Sequence, residues 1–409
     1  MPSEFQNWLV WIDGEYDQML SNTIALAEIN SGTLNTAGVN QVGRKLVELF
    51  KPLGGEIKHI PVNAYQRLSP SGSLQSFPLG DAITIQKRPD SPLQIFLCGH
   101  MDTVFAIDHS FQKVRWLDDE TLNGPGVTDL KGGLMVMLKA LEAFEQTPWT
   151  DKIGWTVLFN PDEEIGSPGS APLIAELANN VDLGMIYEPC FPNGDLAGER
   201  KGSGNFGVFV RGRSAHAGRE HHLGRNAIRA MCDFISALDD LNGQKTGVTI
   251  NPGTITGGSS VNAVPDTCVS HFNIRLEKPE DTDWCQQQLK QLLNKINQRD
   301  GISIDIHGGF GRTPKTLTPK NLRLFELSKS CGLELGLQLQ WSPTGGCCDG
   351  NNLAAAGIPN IDTLGVQGGG IHSSDEYLKV KSLTERAKLS ALLLMKLATT
   401  QDLRWLKTQ

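Results

Sequence analysis

No apolar run in this sequence approaches the ~18 residues that a membrane-spanning helix requires, so no membrane partner is expected. Its eight cysteines (Cys98, Cys190, Cys232, Cys268, Cys285, Cys331, Cys347 and Cys348) never fall at CxxC spacing. That argues against a zinc ribbon or disulfide framework and for reduced thiols in the cytoplasm. Basic residues are the minority, 37 against 45 acidic ones, and a net charge of -8 lacks the positive footprint that phosphate backbones select. Nucleic acid is therefore not an expected partner. The opening residues MPSEFQNWLVWIDGEYDQML carry acids where a secretory signal carries lysine or arginine, so export is not expected. The signature of disorder is missing too, since 39% of residues are hydrophobic and 20% charged. At 409 residues the chain well exceeds the ~150-residue prior for one domain.

What is present is an alternation of short apolar runs and helical segments. LQIFLCGHMD, GWTVLFNPDEE and VDLGMIYEP each pass from apolar into polar residues. With helices such as LKGGLMVMLKALEAF between them, they read as buried parallel strands of an α/β body. SNTIALAEINSG and GVNQVGRKLVELFKPLGG read as further helices. From about residue 200 the order becomes β-α-β-β-α-β, the ferredoxin-like split arrangement. The expected architecture is a mostly parallel sheet with helices on both faces and an inserted α+β unit. Its boundaries are 1–199, 200–312 and 313–409, with the Gly/Pro segments PCFPNGDLAG and GGFGRTPK as linkers.

Acids and histidines stand at the ends of the apolar strands, where open α/β sheets gather their ligands. These are His100 and Asp102, then Asp162, Glu163 and Glu164, then Glu188, and His372 after IDTLG. Asp129, at the start of a helix, suits a helix cap as well as a ligand. Imidazole and carboxylate are the ligand set of hydrolytic metal pairs about 3.5–4 Å apart. Two divalent cations, three ligand carboxylates and a bridging hydroxide sum to neutrality, leaving one carboxylate free as a base. Glu163 and Glu164 can serve one site only if the strand ends before them, and Pro161 favours that.

GHMDTVF, NGPGVTDLKGG, NPDEEIGSPGS, Glu188, SAHAG and GGIHSSDEYL occur in the order found in the di-zinc aminoacylase/carboxypeptidase metallopeptidases. The sequence resembles that family, which includes glutamate carboxypeptidase, acetylornithine deacetylase and succinyl-diaminopimelate desuccinylase, from about residue 20 to 400. The resemblance implies that Asp129 bridges two divalent ions, Zn²⁺ with Co²⁺ or Mn²⁺ as substitutes. His100 and Glu188 would complete one, and Glu164 and His372 the other. Glu163 would be the general base and Asp102 the carboxylate that orients His100. It also implies that the inserted unit dimerises and that His216 reaches the partner's site to stabilise the oxyanion. Asn262, Arg275 and, more loosely, Arg312 and Gly346 match substrate-contacting positions.

The implied activity is cleavage of an amide bond in a small peptide or N-acyl amino acid with a free carboxylate. GGCCDGNN…IDTLGVQGGGIHSSDEY looks closer to the glutamate carboxypeptidase branch, although Cys347 and Cys348 replace small residues there. An N-acyl amino acid deacylase is the alternative. A binding protein on the same fold should have lost a ligand, and all are present. Cys347 and Cys348 lack a His-plus-acid partner for a thiol nucleophile. His109, His221, His222, His271 and His307 lie in no motif.

Overall fold

The computed structural model describes residues 4–400, 402, 403, 405 and 406. Its body is a six-stranded sheet of β1 (Glu56–Ile60), β2 (Ala82–Lys87), β3 (Leu93–His100), β4 (Ile153–Asn160), β5 (Leu183–Ile186) and, last in the chain, β10 (Asn360–Ile361). The spatial order is β1-β2-β4-β3-β5-β10. The three pairings at the heart of the sheet, β4 with β3, β3 with β5 and β5 with β10, are parallel; the two that involve β2 are antiparallel.

The continuous apolar runs follow from burial on both faces. Ile95 and Leu97 of β3 join one core cluster, and Phe96 and Cys98 join another on the opposite side. The first layer holds α1 (Tyr16–Ala27), α2 (Thr36–Phe50), α3 (Gly132–Glu145) and α7 (Ser382–Thr399). The second holds Ala171–Ala178 and α6 (Asp349–Ala355). Two helices differ from their expected spans. α1 stops at Ala27 because Asn30 turns its amide to the carbonyls of Phe105 and Ala106, both at 3.1 Å. α2 starts after Asn35, whose side chain caps it by accepting Gly38 N–H at 3.2 Å.

The second unit comprises β6 (Gly202–Arg211), α4 (Ala227–Asp239), β7 (Thr249–Gly257), β8 (Thr267–Leu276), α5 (Asp281–Asn297) and β9 (Ser303–Arg312). Its sheet runs β7-β8-β6-β9, antiparallel throughout, with α4 and α5 sharing its hydrophobic core. Pro252 is tolerated because β7 is an edge strand. The segment GGFGR, expected as linker, is the end of β9. Gly308 pairs with Phe206 at a φ of +90°, and a Cβ there would sit 2.2 Å from the Asn205 carbonyl oxygen. The glycines read as a break but are what lets this strand close on its neighbour. No helix among the described residues is long and apolar enough to cross a membrane.

Candidate metal centre

Register brings the strand-end residues together. His100 is the last residue of β3 and pairs with Asn160, the last of β4, while Cys98 pairs with Ile186 at the end of β5. Glu188, two residues beyond Ile186, thus comes level with His100, and its Oε1 lies 4.0 Å from His100 Nε2. Past Asn160 the chain tightens into a single helical turn, Glu163–Ile165, so adjacent glutamates no longer point to opposite faces. Asp162 does not join the cluster; it accepts from Ser170 Oγ at 2.5 Å and Gly169 N–H at 2.6 Å.

Asp129 is not a helix cap. α3 begins at Gly132 with Lys131 before it, and the Asp129 backbone is non-helical. Its Oδ1 lies 3.0 Å from His100 Nε2 and its Oδ2 lies 3.3 Å from His372 Nε2. His372 Nε2 is also 3.1 Å from Glu164 Oε2, and its backbone is held in the left-handed region at a φ of +63°. Ligand atoms of His100, Glu163 and Glu188 all lie within 4.8 Å of one another, as do those of His100, Asp129 and Glu164.

Asp102 does more than orient His100. His100 Nδ1 lies 3.0 Å from the Asp102 backbone carbonyl and 3.4 Å from its Oδ1. The Asp102 carboxylate accepts from Glu163 N–H (3.1 Å), Glu164 N–H (3.2 Å) and Thr33 Oγ1 (2.7 Å). It therefore ties the turn of the two glutamates to the strand that delivers the histidine.

The donor set fits divalent cations. A carbonyl can only accept, so Nδ1 of His100 holds a proton. Against its burial, Asp102 and Asp129 raise the imidazole's pKa, and a cation bound at Nε2 would take the place of the proton shared with Asp129. Burial lifts the carboxyls of Glu163 and Glu164, the latter to about 8 with further help from Asp129. Burial and then the neighbouring Glu163 and Asp129 lift Glu188 well above the carboxylate range. Glu163 Oε1 is buried without a directed hydrogen bond, although Arg312 Nη2 lies 2.8 Å away. Crowded buried acids of this kind are what bound metal ions stabilise.

The remaining expected residues fall in two places. Arg312, at the end of β9, is buried and contacts Glu163, Ser167 Oγ at 2.9 Å and Asp349 Oδ1 at 3.3 Å. Arg275 is half-buried, donating to Asn273 Oδ1 at 2.8 Å with Cys347 Sγ at 3.0 Å, and the exposed Gly346 precedes that cysteine. His216 and Asn262 are exposed in the second unit, and among the described residues no hydrogen bond or ion pair joins either to the cluster of its own chain. His216 Nδ1 accepts from the N–H groups of Gly218 (3.1 Å) and Arg219 (3.2 Å), which leaves Nε2 as a proton donor. Cys348 accepts Gly350 N–H and caps α6, and burial pushes its thiol far up.

Sequence reasoning passed over a buried network beside the site. Arg200 holds Asp362 with two bonds, at 2.9 and 3.0 Å, and Lys315 Nζ lies 2.7 Å from the same carboxylate. Burial opposes ionisation of Asp362, but the two cations bring it down to about 2. A folded pKa below the unfolded one gives stability that is present above pH ~4 and is lost as pH falls towards 2. Asp362→Asn leaves two buried cations short of a counter-charge and is expected to destabilise the fold by about 3–5 kcal/mol in denaturant titration.

Comparison with known proteins finds relatives for the second unit and for most of the chain. Residues 198–301 match the M20 peptidase dimerisation domain. The chain is 28% identical to carboxypeptidase G2 of Pseudomonas sp. (strain RS-16) over 380 residues, 91% of this chain and 87% of that protein. It is 25% identical to succinyl-diaminopimelate desuccinylase of Janthinobacterium sp. (strain Marseille), covering 88% and 95% of the two. Its fold matches the M20 family metallo-carboxypeptidase Sso-CP2 from Sulfolobus solfataricus with a TM-score of 0.74 at 16% identity, over 94% of this chain and all of that one.

Proposed function

We propose that this chain, a homologue of the M20 metallopeptidases, is a dinuclear metal-dependent hydrolase of the amide bond in a small peptide or N-acyl amino acid with a free carboxylate. The observation that carries the reading is the convergence of His100, Asp129, Glu163, Glu164, Glu188 and His372 on one point beyond the strand ends. His100, Asp129 and Glu188 would hold one ion and Asp129, Glu164 and His372 the other, with zinc the first choice and cobalt or manganese acceptable to the same donors. Bound there, the ions supply Lewis acidity and a water of lowered pKa.

Glu163 is the carboxylate left over. It takes the proton of the attacking water and returns it to the leaving nitrogen, and burial raises its carboxyl above the ordinary glutamate range, which favours holding that proton. Arg275 offers a planar fork for the substrate carboxylate beside Gly346, and Asn262 would approach from the second unit. A homodimer through that unit is supported by its exposed edge strand β7 and the fully exposed Val261, both suited to a partner surface. Eight unpaired thiols accord with a cytoplasmic location.

Carboxypeptidase-type cleavage with release of glutamate is the first reading, and deacylation is the alternative that the same site serves. The test joins metal analysis of the purified chain to a screen of glutamate-terminated dipeptides and N-acyl amino acids with added Zn²⁺, Co²⁺ or Mn²⁺. About two ions per chain and hydrolysis are expected. Amidating the substrate α-carboxylate should lower kcat/KM at least ~10-fold, the cost of one lost bidentate contact. No bound metal and no turnover with any substrate would instead support a binding protein.

A further inference from the structure

We propose that Glu376 is a positioning residue that sets Asp129 and His372 in register for the metal between them. The inference rests on the metallohydrolase reading above.

Glu376 is buried, and its carboxylate is spent on backbone. Oε1 accepts the N–H groups of Thr128 and Asp129, both at 2.9 Å, and Oε2 accepts that of Gly126, also at 2.9 Å. The same stretch is sewn together by Asn123 Nδ2, which donates to the Glu376 carbonyl at 2.7 Å, and by Thr128 Oγ1, which donates to the Tyr377 carbonyl at 2.6 Å. A carboxylate taken out of water is expensive unless its lone pairs are met, and here three amides meet them.

The position of these amides carries the argument. One belongs to Asp129, whose carboxylate lies 3.0 Å from His100 Nε2 through one oxygen and 3.3 Å from His372 Nε2 through the other. Its loop approaches through Gly126 at a φ of +71° and is not helical at Asp129 or Leu130, so regular secondary structure does not hold it. Among the described residues, three further carboxylates, those of Glu163, Glu164 and Glu188, crowd the same point and repel it. Glu376 lies four residues after His372, beyond the tight turn that starts at Gly370. One short segment therefore supplies a ligand with His372 and, through Glu376, grips the backbone of the other ligand. Their separation is fixed by a span of four residues rather than by packing across the sheet.

The test titrates Zn²⁺ into metal-free full-length chain against a chromogenic chelator, for wild type, Glu376→Gln, Glu376→Asp and Asn123→Ala. Glu376→Gln keeps an oxygen for Thr128 and Asp129 but sets an amide donor against Gly126 N–H. Glu376→Asp keeps the charge and lacks the reach for all three amides, and it serves where the glutamine variant does not fold. Both are expected to weaken the zinc equivalent that Asp129 shares with His372 by about 10–100-fold, and the other, which keeps His100 and Glu188 but also uses Asp129, by clearly less. Asn123→Ala loosens the same segment without touching the Asp129 amide, and should lower the melting temperature of the metal-free chain with little selective loss of either equivalent. If the Glu376 variants bind both equivalents as wild type does, or lose both equally in proportion to melting temperature, Glu376 is only a structural strut and the inference is overturned. If wild type itself binds no zinc, the metallohydrolase reading fails, and this inference with it.

Discussion

Glu163→Gln is expected to reduce kcat by roughly 10²–10⁴, the contribution of a well-placed general acid and base, while metal content stays near that of wild type. The two neighbouring glutamates make the contrast sharp. Glu164 Oε2 meets His372 Nε2 at 3.1 Å, whereas Glu163 Oε1 faces Arg312 and forms no directed hydrogen bond. Glu164→Ala should therefore lose one metal equivalent, and its activity should recover partly at high metal concentration. Glu163→Gln should not respond to added metal. Steady-state kinetics beside elemental analysis of the same samples would decide, and near wild-type turnover by Glu163→Gln would remove it from the base role.

The parts of this site that were legible from sequence are those whose positions follow from local pattern. An apolar run that both layers cover must be a buried strand, and the polar residue that ends it must emerge at the sheet edge, which places His100, Glu163, Glu164 and Glu188. Asp129 was ambiguous because GPGVTDLKGG reads equally as a capped helix start. Its true partners, His100 and His372, are remote in sequence. Glu376 carried one signal, an acid four residues after His372 in GGIHSSDEYL, but a run of serine and acid suggests an exposed turn. Arg200, Lys315 and Asp362 were invisible for the same reason as most buried ion pairs, since 162 residues separate Arg200 from its carboxylate. β9 was cut short because glycine has low strand preference, and only the facing backbone of β6 shows why Gly308 belongs there.

Two inactive variants of this chain, mixed, should regain activity. His216 is exposed on the second unit with Nδ1 saturated by two backbone amides, so its Nε2–H points outward with nothing in its own chain's cluster to donate to. An imidazole fixed in that tautomer is a ready oxyanion donor, worth on the order of 10²–10³ in kcat when it is one of few such groups. If it acts on the partner's substrate across a two-fold axis, each working site takes metals and Glu163 from one chain and His216 from the other. His216→Ala and Glu163→Gln are then each inactive alone. In a hybrid dimer both lesions fall in one site and the second site is complete. Random exchange makes about half the dimers hybrid, so about a quarter of wild-type activity should return. The assay mixes differently tagged variants, confirms hybrids by tandem capture and measures turnover against time of exchange. Captured hybrids without activity would place His216 outside the reaction, as a surface histidine of a turn. Recovery near a quarter would require that the oxyanion donor arrives from the second chain, and it would make dimer dissociation a route to loss of activity with the metal site left intact.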